Sequence, residues 1–237
     1  PGVATIRYIF RNIYGTIPDI QGGLQPAFNL ITNTQQIRAR EIFETYSQVA
    51  GLQFVETTDE NDTTAVIVAT GDMRAINPFV PSGPGGTTGL VGSVNVGNAA
   101  NPDFRQAIIM DSSEFWNDER GLSDNPLQFS WFEQTAQATA RFLGLGDALE
   151  LPPGTLLGAD SDLAFDNNRE GIIPGDQDIV HLQRLFRPES KDIDLYKFTI
   201  DVADGKTGIF TAETIAERQR DSRGHHGRGD HQPDRPA

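Results

Sequence analysis

Hydrophobic and polar residues alternate in short blocks near the start of the chain and then fall into longer helical periods. Residues 4–10, Ala-Thr-Ile-Arg-Tyr-Ile-Phe, alternate and are rich in β-branched and aromatic side chains, which predicts a strand. A Gly- and Pro-rich connection follows. Over 34–50, Ile42, Phe43, Tyr46, Val49 and Ala50 recur at helical spacing and predict a long helix. Asn33 with Gln36 offers its cap, and Gly51 its end. Residues 52–56 and 65–69 read as two further strands, the second apolar on both faces and therefore expected in the interior. The stretch 78–97 is rich in Gly, Pro, Ser and Thr and predicts an ordered loop. Within it an edge strand is expected over 90–96, with Leu90 and Val96 at its ends.

Residues 106–111 carry Ala107-Ile-Ile-Met110 and read as another strand. A second helix is predicted over 129–145, capped by Ser130 with Glu133 three residues on. Its buried stripe is Phe132, Ala136, Ala140 and Leu143. A third helix is predicted over 176–186, with Ile179, Leu182 and Phe186 on one side. Strand, helix, strands, helix, turn, helix is the order of an α/β or α+β domain built on one main sheet, here placed at 1–190. From about 191 to 216 a new alternating pattern reads as the start of a β-rich domain that this chain does not finish. Residues 217–237 hold His225, His226 and His231 but almost nothing apolar, and read as a tail unable to order itself.

Composition adds exclusions. A formal net charge of −14 argues against general nucleic-acid binding, which needs basic surface to neutralise phosphate. So much acid serves solubility, or else some of the carboxylates hold Ca2+. There is no cysteine, so disulfides, thiolate nucleophiles and Cys-rich zinc sites are excluded. No apolar run approaches the length of a membrane span, and no signal-peptide pattern opens the chain. The start at Pro1 fits a mature form or an excised fragment.

The informative stretch is Gln137-Ala-Thr-Ala-Arg141-Phe-Leu-Gly144-Leu-Gly-Asp147. A metzincin zinc helix is written H-E-x-x-H-x-x-G-x-x-H: two His one turn apart, a Gly that lets the chain turn, and a third His that closes on the metal. Gly144 sits at the glycine of that pattern, within the run Leu-Gly-Leu-Gly. On these residues the chain resembles the matrixin-type metzincin zinc endopeptidases. The resemblance is carried further by Ser82-Gly-Pro-Gly-Gly86, by Met110-Asp111-Ser-Ser-Glu114, by Leu151-Pro-Pro-Gly-Thr-Leu-Leu-Gly158, and by the third helix, so that it spans about 4–188. It implies a metzincin-like twisted mixed sheet with three main helices, and secretion to an extracellular setting.

The resemblance also says what has changed. The three ligand positions hold Gln137, Arg141 and Asp147, and the general-base position holds Ala138. Gln137 is a poor neutral ligand, Arg141 cannot lose its proton, and Ala138 has no acid–base function. Zinc and proteolysis are therefore not expected. The family's calcium site maps onto Asp111 and Glu114, with the backbone of Gly83, Gly85 and Thr87. Ser82 stands where the family has Asp, and Ile109 where a structural-zinc His would be. Leu156 or Leu157 replaces the methionine of the turn beneath the metal. The acidic run Asp160, Asp162, Asp166 and Glu170 reads as a solvated loop or a second calcium site. Trp116 and Trp131 read as core anchors. Three functions follow: an inactive pseudo-peptidase binding protein or peptide in the old cleft, along the edge strand; an active zinc endopeptidase with an atypical site; or a calcium-stabilised structural module of a larger exported protein.

Overall fold

In chain order the first elements are β1 (Ala4–Ile9), β2 (Ile13–Pro18), β3 (Leu24–Phe28), α1 (Asn33–Ala50), β4 (Leu52–Glu56) and β5 (Val66–Gly71). A 3-10 turn at Met73–Ala75 leads to β6 (Gly89–Asn95) and β7 (Phe104–Asp111). The short β8 (Trp116–Asn117) and β9 (Phe129–Ser130) precede α2 (Trp131–Phe142) and α3 (Asp176–Phe186). The computed structural model describes residues 3–81, 83–84, 86–98, 100–117, 129–147, 155–157 and 174–186. These all belong to one compact unit, Pro1–Glu189. The expected β-rich start at 191–216, the tail at 217–237 and the acidic run at Asp160, Asp162, Asp166 and Glu170 lie outside the described residues.

Five strands form one mixed sheet in the order β4-β1-β5-β7-β6. β1, β4, β5 and β7 run parallel, and β6 returns antiparallel to β7 at the edge. The class is thus α+β, with three α-helices and a mixed sheet among the described residues.

Strand alternation sorts the core into two layers. Val66 and Val68 of β5 and Ile108 and Met110 of β7 point to the helical side, where they pack with Ile42, Phe43 and Tyr46 of α1 and Trp131 and Ala136 of α2. Ile67, Ala69, Ala107 and Ile109 point the other way, against Tyr14, Ala27 and Met73. A sheet that is mostly parallel needs cover on both faces, and the second cover is the hairpin β2–β3 with the 3-10 turn.

That hairpin corrects the sequence reading, which took this region as a plain connection. Pro18 and Pro26 lie in its strands and mask the pattern, but a two-stranded sheet has only edges and tolerates them. Its turn is held by Asp19, whose carboxylate accepts from Gln21 N at 2.8 Å and Gly23 N at 2.6 Å. Asn29 then fastens the hairpin's exit, donating to the carbonyls of Arg11 and Val68 and accepting from Ile31 N and Thr70 N.

The cap of α1 is also shifted by one residue. Thr32, not Asn33, is the N-cap, and it exchanges hydrogen bonds with Gln35 instead of Gln36. Gln35 is buried, and its Oε1 also accepts from the Thr70 hydroxyl at 3.0 Å, so the interior partner selects this register. Gly51 ends the helix in the left-handed region, as expected. α2 is shorter than predicted, Trp131–Phe142 against 129–145, because Gly144 closes it; Ser130 is its cap. α3 covers Asp176–Phe186 as read. Trp131 is fully buried, and Trp116 is half-buried with its indole N–H donated to the Asp111 carbonyl at 2.6 Å.

The helices are joined by Tyr46, fully buried on α1, whose hydroxyl donates to the Ala136 carbonyl of α2 at 2.7 Å. Tyr46→Phe removes one buried neutral hydrogen bond and keeps the ring. It should cost about 1 kcal/mol in urea unfolding with an unchanged denaturant slope. No measurable loss would mean that this bond does not hold α1 to α2.

Candidate functional site

Gln134, Gln137, Ala138 and Arg141 fall at i, i+3, i+4 and i+7 of α2 and so form one stripe along the helix. The stripe begins at the sheet edge: the Thr88 hydroxyl, just before β6, donates to Gln134 Oε1 at 2.6 Å. Gln137 and Ala138 are both buried, and Gln137 Nε2 has no hydrogen-bond partner. At the far end Arg141 reaches the surface. Its Nε and Nη2 donate to Asp147 Oδ1 at 3.1 and 2.8 Å. Both side chains of this pair are largely exposed, 41% and 59%.

The turn between them is set by backbone. Leu145 N donates to the Ala140 carbonyl and Gly144 N to the Arg141 carbonyl, each at 3.0 Å, which is the Schellman pattern. That pattern needs a left-handed residue, and Gly144 supplies it with φ of 96°. Three of the five residues singled out from the sequence therefore meet at one place: Arg141, Gly144 and Asp147. Gln137 and Ala138 lie on the same helix face but in the interior.

β6 runs beside this stripe, since α2 packs on β6 and β7. Asp111 N donates to the Thr88 carbonyl at 2.9 Å and Val96 N to the Asp103 carbonyl at 2.8 Å. In the antiparallel register these bonds put even-numbered residues of β6 toward β7. The odd-numbered Gly89, Val91, Ser93 and Asn95 turn their N–H and C=O groups outward. Asn95 lies close to Gly15 of the hairpin. Gly89, Val91 and Ser93 have no strand beside them among the described residues. The edge expected at 90–96 is therefore an edge.

The residues read as a calcium site come together in part. Gly83 and Asp111 line one open pocket with Asp72, Met73, Val80, Pro81, Ser112 and Ser113, leaving about 70 Å³ of space. Asp111 is buried and accepts from Ser113 N at 2.8 Å, while Ser113 Oγ is buried without a partner. Asp72 was not foreseen in the sequence. It follows β5 and is paired with Arg74; burial pushes its carboxyl up, but the hydrogen bonds and charge of Arg74 together outweigh this and hold it below the usual range. Thr87 is exposed and Glu114 is buried, and neither lines the pocket. Gly85 lies outside the described residues. Among the described residues no group of three His, Asp or Glu side chains is placed to hold a metal. Ile109 is fully buried in the second core layer.

Leu156 and Leu157 are both buried in the core layer under α2. Asp178 ties them down: its Oδ2 accepts from Leu156 N at 2.8 Å and from Gly175 N at 2.9 Å at the start of α3. Burial raises the Asp178 carboxyl above its ordinary value, against the lowering effect of the two backbone donors and of His181. No family model matches the chain, and no curated protein matches it.

A raised folded pKa means that the native state prefers the protonated acid. Asp178 thus contributes stability below the ordinary aspartate value near about 4, and loses it as pH rises through its folded value. Asp178→Asn keeps an acceptor for both amides but cannot ionise. Between pH 3.5 and 7 the unfolding free energy of the wild type should fall relative to that of Asp178→Asn. A difference that stays flat or rises with pH would refute the assignment.

Proposed function

We propose that this chain is a metzincin-like module that binds an extended peptide along β6 and does not cut it. The observation that carries the reading is the outward row of backbone groups at Gly89, Val91 and Ser93 beside α2, a ready template for an added strand. The resemblance to matrixins supports it, because their clefts bind extended peptides along this edge. The chemistry of α2 supports the loss of hydrolysis. Where that family places ligands and a base, this chain has a buried amide, a buried methyl group and an Arg–Asp ion pair. A guanidinium cannot ligate a cation, and Ala138 offers no carboxylate to activate water. Secretion accompanies the resemblance and is proposed with it. Among the described residues no helix is long and apolar enough to cross a membrane.

The test uses a blocked ten-residue peptide of Thr, Val and Ser and the variant Ser93→Pro. The Ser93 side chain is exposed and its N–H points away from β7, so proline there removes an outward donor and leaves the β6–β7 ladder intact. Peptide affinity should fall at least about tenfold with little change in Tm. Equal affinity in the variant would sink the reading. So would stoichiometric zinc together with casein cleavage that a chelator abolishes.

A calcium role is a second reading, favoured by the pocket that brings Gly83, Asp72 and Asp111 together. The cation would be held by Asp111 and backbone oxygens of the Gly83 loop, adding oxygen ligands to an acidic chain. Millimolar Ca2+ should then raise Tm by about 2 °C or more over chelator, and Asp111→Asn should abolish the rise. An unchanged Tm in the wild type removes the calcium site.

A further inference from the structure

We infer that the peptide taken up along β6 is selected for a carboxylate, which Arg141 receives in place of Asp147. This rests on the peptide-binding reading above and names the ligand chemistry of that same cleft. The stripe on α2 starts at the Thr88–Gln134 hydrogen bond, where β6 begins, and ends at Arg141. Seven residues of helix cover about 10 Å, the span of about three residues of extended peptide. A peptide paired on β6 would therefore need about three residues beyond the Thr88 end to span the length of the stripe to the guanidinium.

Donors dominate that stripe. Gln134 spends its carbonyl oxygen on Thr88 and keeps an amide NH2, and Gln137 Nε2 is buried without an acceptor. Arg141 engages Asp147 through Nε and Nη2 onto a single oxygen, Oδ1, and its Nη1 takes no part in that pair. A guanidinium favours two parallel bonds to the two oxygens of one carboxylate, so the present pairing leaves its fork half used. Both partners are largely exposed, and exposed pairs of this kind exchange readily. Asp147 acts as a resident stand-in, occupying the guanidinium until a ligand carboxylate offers both oxygens. The chain's net charge of −14 opposes an acidic peptide at long range, so the preference arises on contact and not from steering.

The experiment measures binding of blocked ten-residue Thr/Val/Ser peptides, with Glu or Gln set in turn at each position. In the wild type, Glu at one or two adjacent positions should tighten binding about tenfold over Gln there. Arg141→Gln should erase that preference for Glu over Gln, and Arg141→Lys should restore only part of it. Asp147→Asn should strengthen Glu-peptide binding severalfold and leave Gln peptides unchanged. A merely structural role for the ion pair would shift all peptides together in every variant, and that result overturns the inference. Equal binding of Glu and Gln peptides at every position also overturns it, yet leaves the β6 edge reading standing. Binding of neither set overturns both.

Discussion

Thr70 holds together the parts on which the rest of the molecule depends. It sits in the middle of the sheet on β5, and its hydroxyl accepts from the Trp131 indole N–H at 3.0 Å while donating to Gln35 Oε1 at 3.0 Å. Gln35 in turn caps α1 with Thr32, and Trp131 is the first residue of α2. One buried hydroxyl thus fixes where both large helices begin relative to the central strand. All its partners are buried, so every bond in the relay is made in a low dielectric, where an unmade one is costly. A helix start placed in this way also places its far end, because α2 is a rigid rod of known rise. The orientation of Gln134 toward Thr88 and of Arg141 toward solvent follows from Trp131 being pinned.

The sheet and helices were largely legible because their physics is local. Ile42, Phe43 and Tyr46 mark a helical face by period, and the continuous apolar runs at β5 and β7 mark strands with both faces covered. α3 matched to the residue since Pro174 and Gly175 precede an acidic first turn and the apolar side is regular. The hairpin β2–β3 was not legible. It contributes Tyr14 and Ala27 to the second core layer, but two prolines and two adjacent glycines carry the signal of a loop. The Thr32 cap was missed for a different reason. Thr32–Gln35 and Asn33–Gln36 have the same spacing, and only Thr70, 35 residues beyond Gln35, distinguishes them. Long-range partners of that kind leave no periodic mark.

The candidate site divides along the same line. The positions of Gln137, Ala138 and Arg141 on one face follow from helix geometry, and the edge status of β6 from its composition. Asp72, which closes the pocket beside Gly83 and Asp111, carried no motif, because only the β5–β7 pairing brings it there. The two carboxylates that line this pocket therefore come from the ends of two different strands. The sequence pattern of a calcium loop sees one of them.

The Arg141–Asp147 pair bears on how much the turn after α2 needs its side chains. In a zinc site a metal would cross-link the residues on either side of such a turn and contribute many kilocalories per mole to its closure. An exposed ion pair contributes at most about 1 kcal/mol, and salt screens it further. The pair is too weak to hold the turn, so the turn must hold itself. The two Schellman bonds and the left-handed Gly144 do this with backbone alone, and Leu143 anchors it as a buried side chain. Closure at Gly144 is therefore independent of what occupies positions 137, 141 and 147. Those positions are then free to change their chemistry without changing the fold, and a guanidinium can stand at the end of the stripe with only a loosely held partner.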